Sequence, residues 1–378
     1  MHTIIVDAHN FGRKERIGRN MASLEQIGER NIIDNIIMER FRNIKAQDDD
    51  CAVIELGGET VLLTTDPAPE PVAFQLGFVD YYYYGWLTVI VNLSDLASMG
   101  AVPKGILTAT VMKPEMDVAE YERFLQGVED ACLEYGCLLL GGNIKDGAVF
   151  SSNGFAIGTI GKKGKVLWQS KAEPGDVVCV IGEMGAFWSS VIWFQEKWED
   201  FAISGEEKEA LLRALTRPTA KVREGILLSE SPGVTACTDN SDGITWSLIN
   251  MARKSGCNFV LDPDFLEPSE LFLRIAGRAG YPYENLYLSG GDYQLVCTIK
   301  AEQAEKVKEA VNRLGTPFYQ IGCVEEGEGK ALVKEKDRFY FINDLSSERF
   351  RQHSMFANGY KEYLHLIKTS DIRGERYR

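Results

Sequence analysis

Strand-like and helix-like segments alternate along nearly the whole chain, and that mixture predicts an α/β (or α+β) fold. Two further observations set its scale. The length of 378 residues favours two domains, and a 45% hydrophobic content supplies a core for each. A Glu173-Pro174-Gly175-Asp176 turn separates one series of elements from the next. The expected organisation is an N-terminal extension and helix over 1–43, a first domain over 44–168, a second α/β domain over 169–325 and a C-terminal extension over 326–378.

The elements follow in order. Residues 1–20 read as irregular and basic; Ile27, Ile32, Ile33, Ile36, Ile37 and Phe41 then recur at roughly helical spacing, predicting a helix over 21–43. The apolar runs 51–56 and 60–65 flank Gly57-Gly58, a hairpin signal. A helix over 83–99 closes at Gly100, and 105–112 reads as a strand. In 117–135, Tyr121, Phe124, Leu125, Val128, Ala131, Cys132 and Tyr135 fall on one helical stripe. Strands at 137–140 and 155–160 complete the first series. In the second, strands are expected at 177–181, 234–238, 259–261, 294–299 and 318–324, with helices at 185–198, 206–215, 219–230, 242–254, 268–279 and 302–314. Beyond about 345 the chain is charged and weakly patterned.

Composition excludes several function classes. A net charge of −14 repels nucleic acid and anionic lipid, and it repels ATP too unless a divalent cation intervenes. The eight cysteines (Cys51, Cys132, Cys137, Cys179, Cys237, Cys257, Cys297, Cys323) form no C-x-x-C pair and mostly sit in apolar runs, as buried small residues in a reducing compartment do. The polar start lacks a signal-peptide core and no apolar stretch is long enough to span a bilayer, so a soluble, cytoplasmic protein is expected, with neither nucleic-acid nor membrane partners. The four histidines are His2, His9, His353 and His365, so the central body must work without histidine bases or histidine–zinc sites. The acidic loop at 325–328 reads as a solvated turn.

Aspartates stand at the ends of predicted elements, often beside glycine: Asp48-Asp49-Asp50, Asp66, Asp95, Asp239-Asn240-Ser241-Asp242-Gly243 and Gly290-Gly291-Asp292. Gly141-Gly142-Asn143 and Gly182-Glu183-Met184-Gly185 accompany them. Each alone is readily a cap or turn residue, and Asp242 suits a helix N-cap. Converging in space, they would suit Mg²⁺ bridging carboxylates to phosphates. No Walker P-loop and no protein-kinase motif set is present.

In this order, Asp49-Asp50-Cys51-Ala52, Thr64-Thr65-Asp66, the block from Val91-Asn92-Leu93-Ser94-Asp95 to Gly100, Tyr135-Gly136 with Gly141-Gly142, Pro174-Gly175-Asp176, Arg217-Pro218, Asp239 to Gly243 and Ser289-Gly290-Gly291-Asp292-Tyr293 resemble the thiamine-monophosphate kinases of the aminoimidazole ribonucleotide synthetase-related family. The resemblance spans roughly 25–325 and its 92–100 block is highly specific. It implies a two-domain fold: an N-terminal sheet domain that binds ATP and metal and dimerises, and a C-terminal domain with a six-to-seven-stranded sheet. It implies Mg²⁺ ligation by Asp50, Thr64, Thr65, Asp66, Asp95, Asp239 and Asp242, with Asp66, Asp95 and Asp242 catalytic. ATP contacts are implied at Tyr135, Gly142, Asn143 and Ser241, and substrate contacts at Glu70, Phe74 and Asp292. The implied reaction passes the γ-phosphoryl of ATP to the phosphate of thiamine monophosphate, in a homodimer, without a covalent intermediate.

Four departures stand out. Asn143 replaces an aspartate, Gln169 (with Lys171 nearby) replaces an ATP-contacting arginine, Ala73 replaces an acceptor-side histidine, and one acidic residue is missing before Asp292. The ATP side is therefore expected to be mostly kept and the acceptor side altered. Two other readings stay open: an ATP-dependent ligase or amidine-forming synthetase that activates a carboxylate or amide, and a nucleotide-binding protein without catalysis. Related selenophosphate synthetases and hydrogenase-maturation proteins need cysteines near their N- and C-termini, where this sequence offers none beyond the span Cys51 to Cys323. Tyr81 to Tyr84, Trp86, Trp188, Trp193 and Trp198 are expected to pack rather than to bind ligand.

Overall fold

The first structured stretch of this computed structural model, which describes residues 23–38, 48–350 and 354–377, is a broken helix. Gly28, at φ 78°, separates Leu24–Ile27 from Glu29–Ile32, and a π-turn follows over Ile33–Ile37. The single helix predicted over 21–43 is thus interrupted, because glycine adopts the left-handed region that ends a helix. The irregular segment predicted over 1–20 lies outside the described residues.

The first domain is a six-stranded sheet backed by two helices. The hairpin of β1 (Ala52–Leu56) and β2 (Glu59–Thr64) forms as its Gly57-Gly58 turn dictates. The two-residue β3 (Pro67–Ala68) leads to helix α1 (Tyr81–Ser98), which Asp80 caps by accepting Tyr82 N–H at 2.9 Å. Strand β4 (Ala101–Met112) passes through α2 (Val118–Glu134) to a parallel β5 (Leu138–Asp146), and β6 (Ser151–Ile160) closes the order β1-β2-β6-β4-β5. Both β5 and β6 run longer than predicted, since their polar and glycine-rich ends carry no strand signal.

Helix α1 is the rod of the molecule, with 15 of its 18 residues buried. Val89, Ile90, Leu93 and Leu96 have no exposed surface, and each such burial contributes about 1.5–3 kcal/mol. Gly85 and Gly127 let α1 and α2 touch: a methyl at Gly85 would sit 2.0 Å from the Phe124 carbonyl, and one at Gly127 2.0 Å from that of Tyr82. Around them Phe74, Tyr81, Tyr84, Phe124 and Phe150 meet edge to face.

The second domain carries, in chain order, β7 (Asp176–Ile181), α3 (Ala186–Glu196), α4 (Gly205–Thr216), α5 (Val222–Glu230), β8 (Val234–Asn240), α6 (Ile244–Ser255), β9 (Asn258–Leu261), α7 (Glu270–Ala279), β10 (Gln294–Lys300), α8 (Ala304–Asn312), β11 (Phe318–Glu325), β12 (Ala331–Glu335), β13 (Arg338–Ile342), α9 (Tyr360–Thr369) and β14 (Arg373–Arg376). Its sheet has eight strands ordered β14-β13-β12-β9-β11-β7-β10-β8. The resemblance implies six to seven strands and the residue patterns five; β12, β13 and β14 continue the sheet past residue 325, where the sequence places the end of the domain. The acidic loop before β12 is indeed the turn of that continuation.

The domains meet along α1. Trp86 Nε1 donates to Pro218 O at 2.8 Å, and a methyl at Gly225 would lie 2.0 Å from Ala97 O, so α5 and α1 pack backbone to backbone. All eight cysteines are unpaired and seven are buried. No helix among the described residues is long and apolar enough to cross a membrane.

Candidate active site

Five of the predicted aspartates come from four separate chain segments, and the fold brings them to the seam between the two domains. Asp66 follows β2, Asp95 lies on α1, Asp239 ends β8, Asp242 precedes α6, and Asp50 leads into β1. Three of them have a hydroxyl partner. Ser98 Oγ donates to Asp50 at 2.6 Å, Ser94 Oγ to Asp239 at 2.7 Å, and Thr64 Oγ1 to Asp95 at 2.5 Å. Ser94, Asp95 and Ser98 are spaced to share one helical face, so α1 presents both the acid and its supporting hydroxyls. Asn92, from the same helix, grips the Asp66 backbone: its Oδ1 accepts Asp66 N–H at 3.0 Å and its Nδ2 donates to Asp66 O at 3.3 Å.

Burial raises the carboxyl pKa at each of these positions, most of all at Asp95 and Asp239. Their mutual repulsion adds to it: Asp95 feels Asp66, Asp239 and Asp50, and Asp239 feels Asp50, Asp242 and Asp66. Asp66 is pushed up to about 6, burial leading, with the Arg349 charge opposing and Asp242, Asp50 and Glu29 reinforcing. Asp49, beside Asp50, is pushed up to about 7 by burial and by that neighbour.

This concentration of buried like charge is expensive unless a cation joins it. The donors are all oxygen, as a hard cation such as Mg²⁺ requires. Among the described residues no group of three acidic, cysteine or histidine side chains is arranged to cage a metal alone.

The remaining predicted residues divide. Ser241, Asp242 and Glu70 line one cavity of about 590 Å³, walled also by Tyr83, Phe187, Trp188, Gly290, Gly291, Arg349 and Tyr363. Asp242 does not cap α6, because Gly243 holds that position without a side-chain bond, so the carboxylate is left to the cavity. Thr65 Oγ1 donates to Gly154 O at 2.8 Å, which leaves its lone pairs available. Phe74 joins the aromatic cluster behind Glu70. Ala73 has no exposed surface, so the place of the absent histidine is filled by packing.

Four expected residues lie elsewhere. Tyr135 accepts Ala220 N–H at 3.0 Å across the domain seam, and its charged neighbours are Glu134, Glu224 and Arg223 rather than the aspartates. Gly142 and Asn143 sit on β5, whose nine residues are all exposed at the edge of the first sheet. Asp292 crowns the start of α3, accepting Gly185 N–H at 2.9 Å and Phe187 N–H at 2.7 Å, and it faces a different cavity, with Glu183 and Lys221. The expected substrate contact is therefore engaged in holding a glycine-rich turn, because glycine and helix-start N–H groups attract a carboxylate. Burial nevertheless raises it to about 7.

The sequence singles out Gln169 only as a departure and misses that it ties the site together. Gln169 is buried, and its side-chain amide donates to Asp50 and, at 3.0 Å, to Thr238. Its Oε1 accepts from Asn250 at 2.9 Å and from Lys254 at 2.7 Å, while its backbone N–H reaches Asp49 at 3.0 Å. Lys254 also pairs with Asp48 at 3.1 Å. Where an arginine was expected, a neutral amide organises both acids and bases. Arg349 was missed as well, since the segment bearing it has no periodic pattern.

Residues 48–160 match the family described as "AIR synthase related protein, N-terminal domain", and 173–335 its C-terminal domain counterpart. A thiamine-monophosphate kinase of Aquifex aeolicus is 29% identical over 310 residues, covering 81% of this chain and 94% of that protein. One from Salmonella typhimurium is 31% identical over 294 residues, covering 76% and 86%. The solved structure of AaThiL complexed with AMPPCP and TMP superposes with a TM-score of 0.72 at 27% identity, covering 84% of this chain and 97% of that one.

Proposed function

The chain belongs to the AIR synthase related family, and from that membership we propose that it is an ATP-dependent kinase of the thiamine-monophosphate kinase type, Mg²⁺-dependent, which passes the γ-phosphoryl of ATP to the phosphate of a phosphorylated small molecule. The observation that carries this reading is the meeting of Asp50, Asp66, Asp95, Asp239 and Asp242 at the domain seam, each held by a hydroxyl or by burial. The kinase relatives and the neighbour complexed with AMPPCP and TMP support the same chemistry.

Magnesium, when bound, supplies charge neutralisation and a template for the polyphosphate. Asp50, Asp66, Asp95, Asp239 and Asp242 would hold it, with Thr64 and Thr65 adding neutral oxygens. The chain's own work is positioning. Ser94, Ser98, Thr64 and Gln169 fix carboxylate rotamers before substrate arrives, so little reorganisation accompanies transfer. Phe187, Trp188 and Tyr363 form an apolar wall that limits water in the 590 Å³ cavity. No described histidine approaches the aspartates, and none is needed when the attacking group is already an anionic phosphate.

Ala73, where the resembled family carries a histidine, is buried and lines no part of the cavity, and thiamine monophosphate is the first acceptor to test. The exposed apolar residues Leu138, Leu140 and Ile144 of β5, with Leu107 and Phe155 beside them, support dimerisation through the first sheet. Such a dimer would also cover Gly142 and Asn143.

The test is turnover of γ-labelled Mg-ATP with thiamine monophosphate and a panel of phosphomonoesters. Label arriving on an acceptor phosphate supports the reading. Release of free inorganic phosphate with an amine-condensed product overturns it in favour of a ligase. Binding of Mg-ATP without any transfer overturns it in favour of a nucleotide sensor.

A further inference from the structure

Gln169 reaches the carboxylate cluster with one end of its amide only, and helix α6 decides which end. Its backbone is fixed first: the N–H donates to Asp49 at 3.0 Å, and the carbonyl accepts from Ser255 Oγ at 3.2 Å. The buried side chain then turns its oxygen to α6, where Asn250 Nδ2 lies at 2.9 Å and Lys254 Nζ at 2.7 Å. The nitrogen is left for Asp50 and, at 3.0 Å, for Thr238 Oγ1.

An amide has a donor end and an acceptor end of nearly the same shape, so packing alone does not choose between them. An ammonium does choose: it donates and never accepts, so Lys254 admits only the oxygen. A rotated Gln169 would set N–H groups against the lysine charge and a carbonyl oxygen against the Asp50 carboxylate. Asn250, one turn earlier on the same face of α6, imposes the same choice. Its own amide is oriented in turn. Arg253 donates to Asn250 Oδ1 at 3.0 Å and pairs at 3.0 Å with Asp34 of the N-terminal helical segment. Lys254 itself is not open to a substrate. Its ammonium also donates to Asp48 O at 2.6 Å and pairs with the Asp48 carboxylate at 3.1 Å, and its side chain is 10% exposed.

We propose that Lys254 and Asn250 are positioning residues for the cation-binding carboxylates: by holding the oxygen of Gln169 they keep its N–H group on Asp50, so that this carboxylate is pre-set for a divalent cation. This rests on the magnesium part of the kinase reading.

Mn²⁺, a paramagnetic stand-in for Mg²⁺, is titrated into the full chain with AMPPCP present, and the free ion is read by electron paramagnetic resonance. Charge alone and positioning predict opposite signs. Lys254→Met removes a positive charge near the site, which by itself tightens a cation; the loss of a positioning residue should instead weaken Mn²⁺ about 10- to 100-fold. Asn250→Asp adds a negative charge yet gives Gln169 Oε1 no donor, and it should weaken Mn²⁺ as well. Lys254→Arg, which still offers only donors, should recover most of the affinity. With Gln169→Met already in place, Lys254→Met should cost less than about threefold more. The signs of the single variants decide the matter should the Gln169→Met chain fail to fold. Tighter or unchanged Mn²⁺ binding by Lys254→Met or by Asn250→Asp overturns the proposal, and so do losses that simply add in the Gln169→Met background. A wild type that binds no Mn²⁺ overturns the metal reading along with it; normal binding by the wild type beside either of those results removes the positioning role alone.

Discussion

Replacing Asp66 by asparagine should stabilise the metal-free protein while crippling its chemistry. The Asp66 carboxyl is raised from 3.8 to about 6, chiefly by burial and then by Asp242, Asp50 and Glu29 against the opposing Arg349. The folded chain therefore holds this proton more tightly than the unfolded chain. Ionisation costs stability, and the penalty is absent below about pH 4, grows as pH rises and is complete above about pH 6. A shift of about two units is worth at most about 3 kcal/mol, and about half of that after relaxation and solvent screening. An isosteric amide removes the penalty. The Asp66 backbone is held by Asn92 through main-chain atoms, so the fold survives the change. At pH 7.5 in EDTA the Asp66→Asn protein should melt about 2–4 °C higher than wild type. Near pH 4 the difference should vanish. Magnesium should raise the melting temperature of the wild type much more than that of the variant, and turnover of the variant should fall about a hundredfold or more. A metal-free variant that melts no higher than wild type at pH 7.5, or that gains as much at pH 4 as at 7.5, refutes the electrostatic account.

Other perturbations read different parts of the design. Asp95→Asn should cut kcat about a thousandfold with the far-UV spectrum intact; unchanged turnover removes Asp95 from the metal-holding set. Gln169→Ala strips a donor from Asp50 and an acceptor from Lys254 in a buried place, so chemical denaturation should show a loss of about 2–4 kcal/mol. Gly225→Ala drives a methyl to within 2.0 Å of Ala97 O, and the loss of domain packing should appear as a lower and broader thermal transition. Leu140→Glu, on the exposed β5, should shift light-scattering mass from dimer to monomer; a wild type already monomeric overturns the dimer proposal.

Much of this protein is legible in its sequence because the signals are local. Helix α2 announces itself through the Tyr121-to-Tyr135 stripe, and the β1–β2 hairpin through Gly57-Gly58. The carboxylates stand at element ends, where a seam between domains can collect them. What the sequence hides is non-local. Strand β12 pairs in parallel with β9 some 70 residues earlier, and β14 joins only through β13, so neither carries a pattern that names its neighbour. Gln169 shows in the sequence only as a departure from the resembled family's arginine; its importance lies in partners at 50, 238, 250 and 254. Asp292, beside two glycines, carries the same local signal as Asp242, yet one faces helix N–H groups and the other the cavity. Only the packing of α3 and α6 tells them apart.

The division of acidic groups across the seam has a consequence for how this molecule could be taken apart. Asp50, Asp66 and Asp95 belong to one half and Asp239 and Asp242 to the other, while Ser94 of the first reaches Asp239 of the second. A chain severed between Ile160 and Asp176 would yield two fragments that divide one shared apolar cluster, neither with a workable centre. Mixed, they would behave as complementing subunits, silent apart and competent together, because α1 is the shared keel on which both are laid.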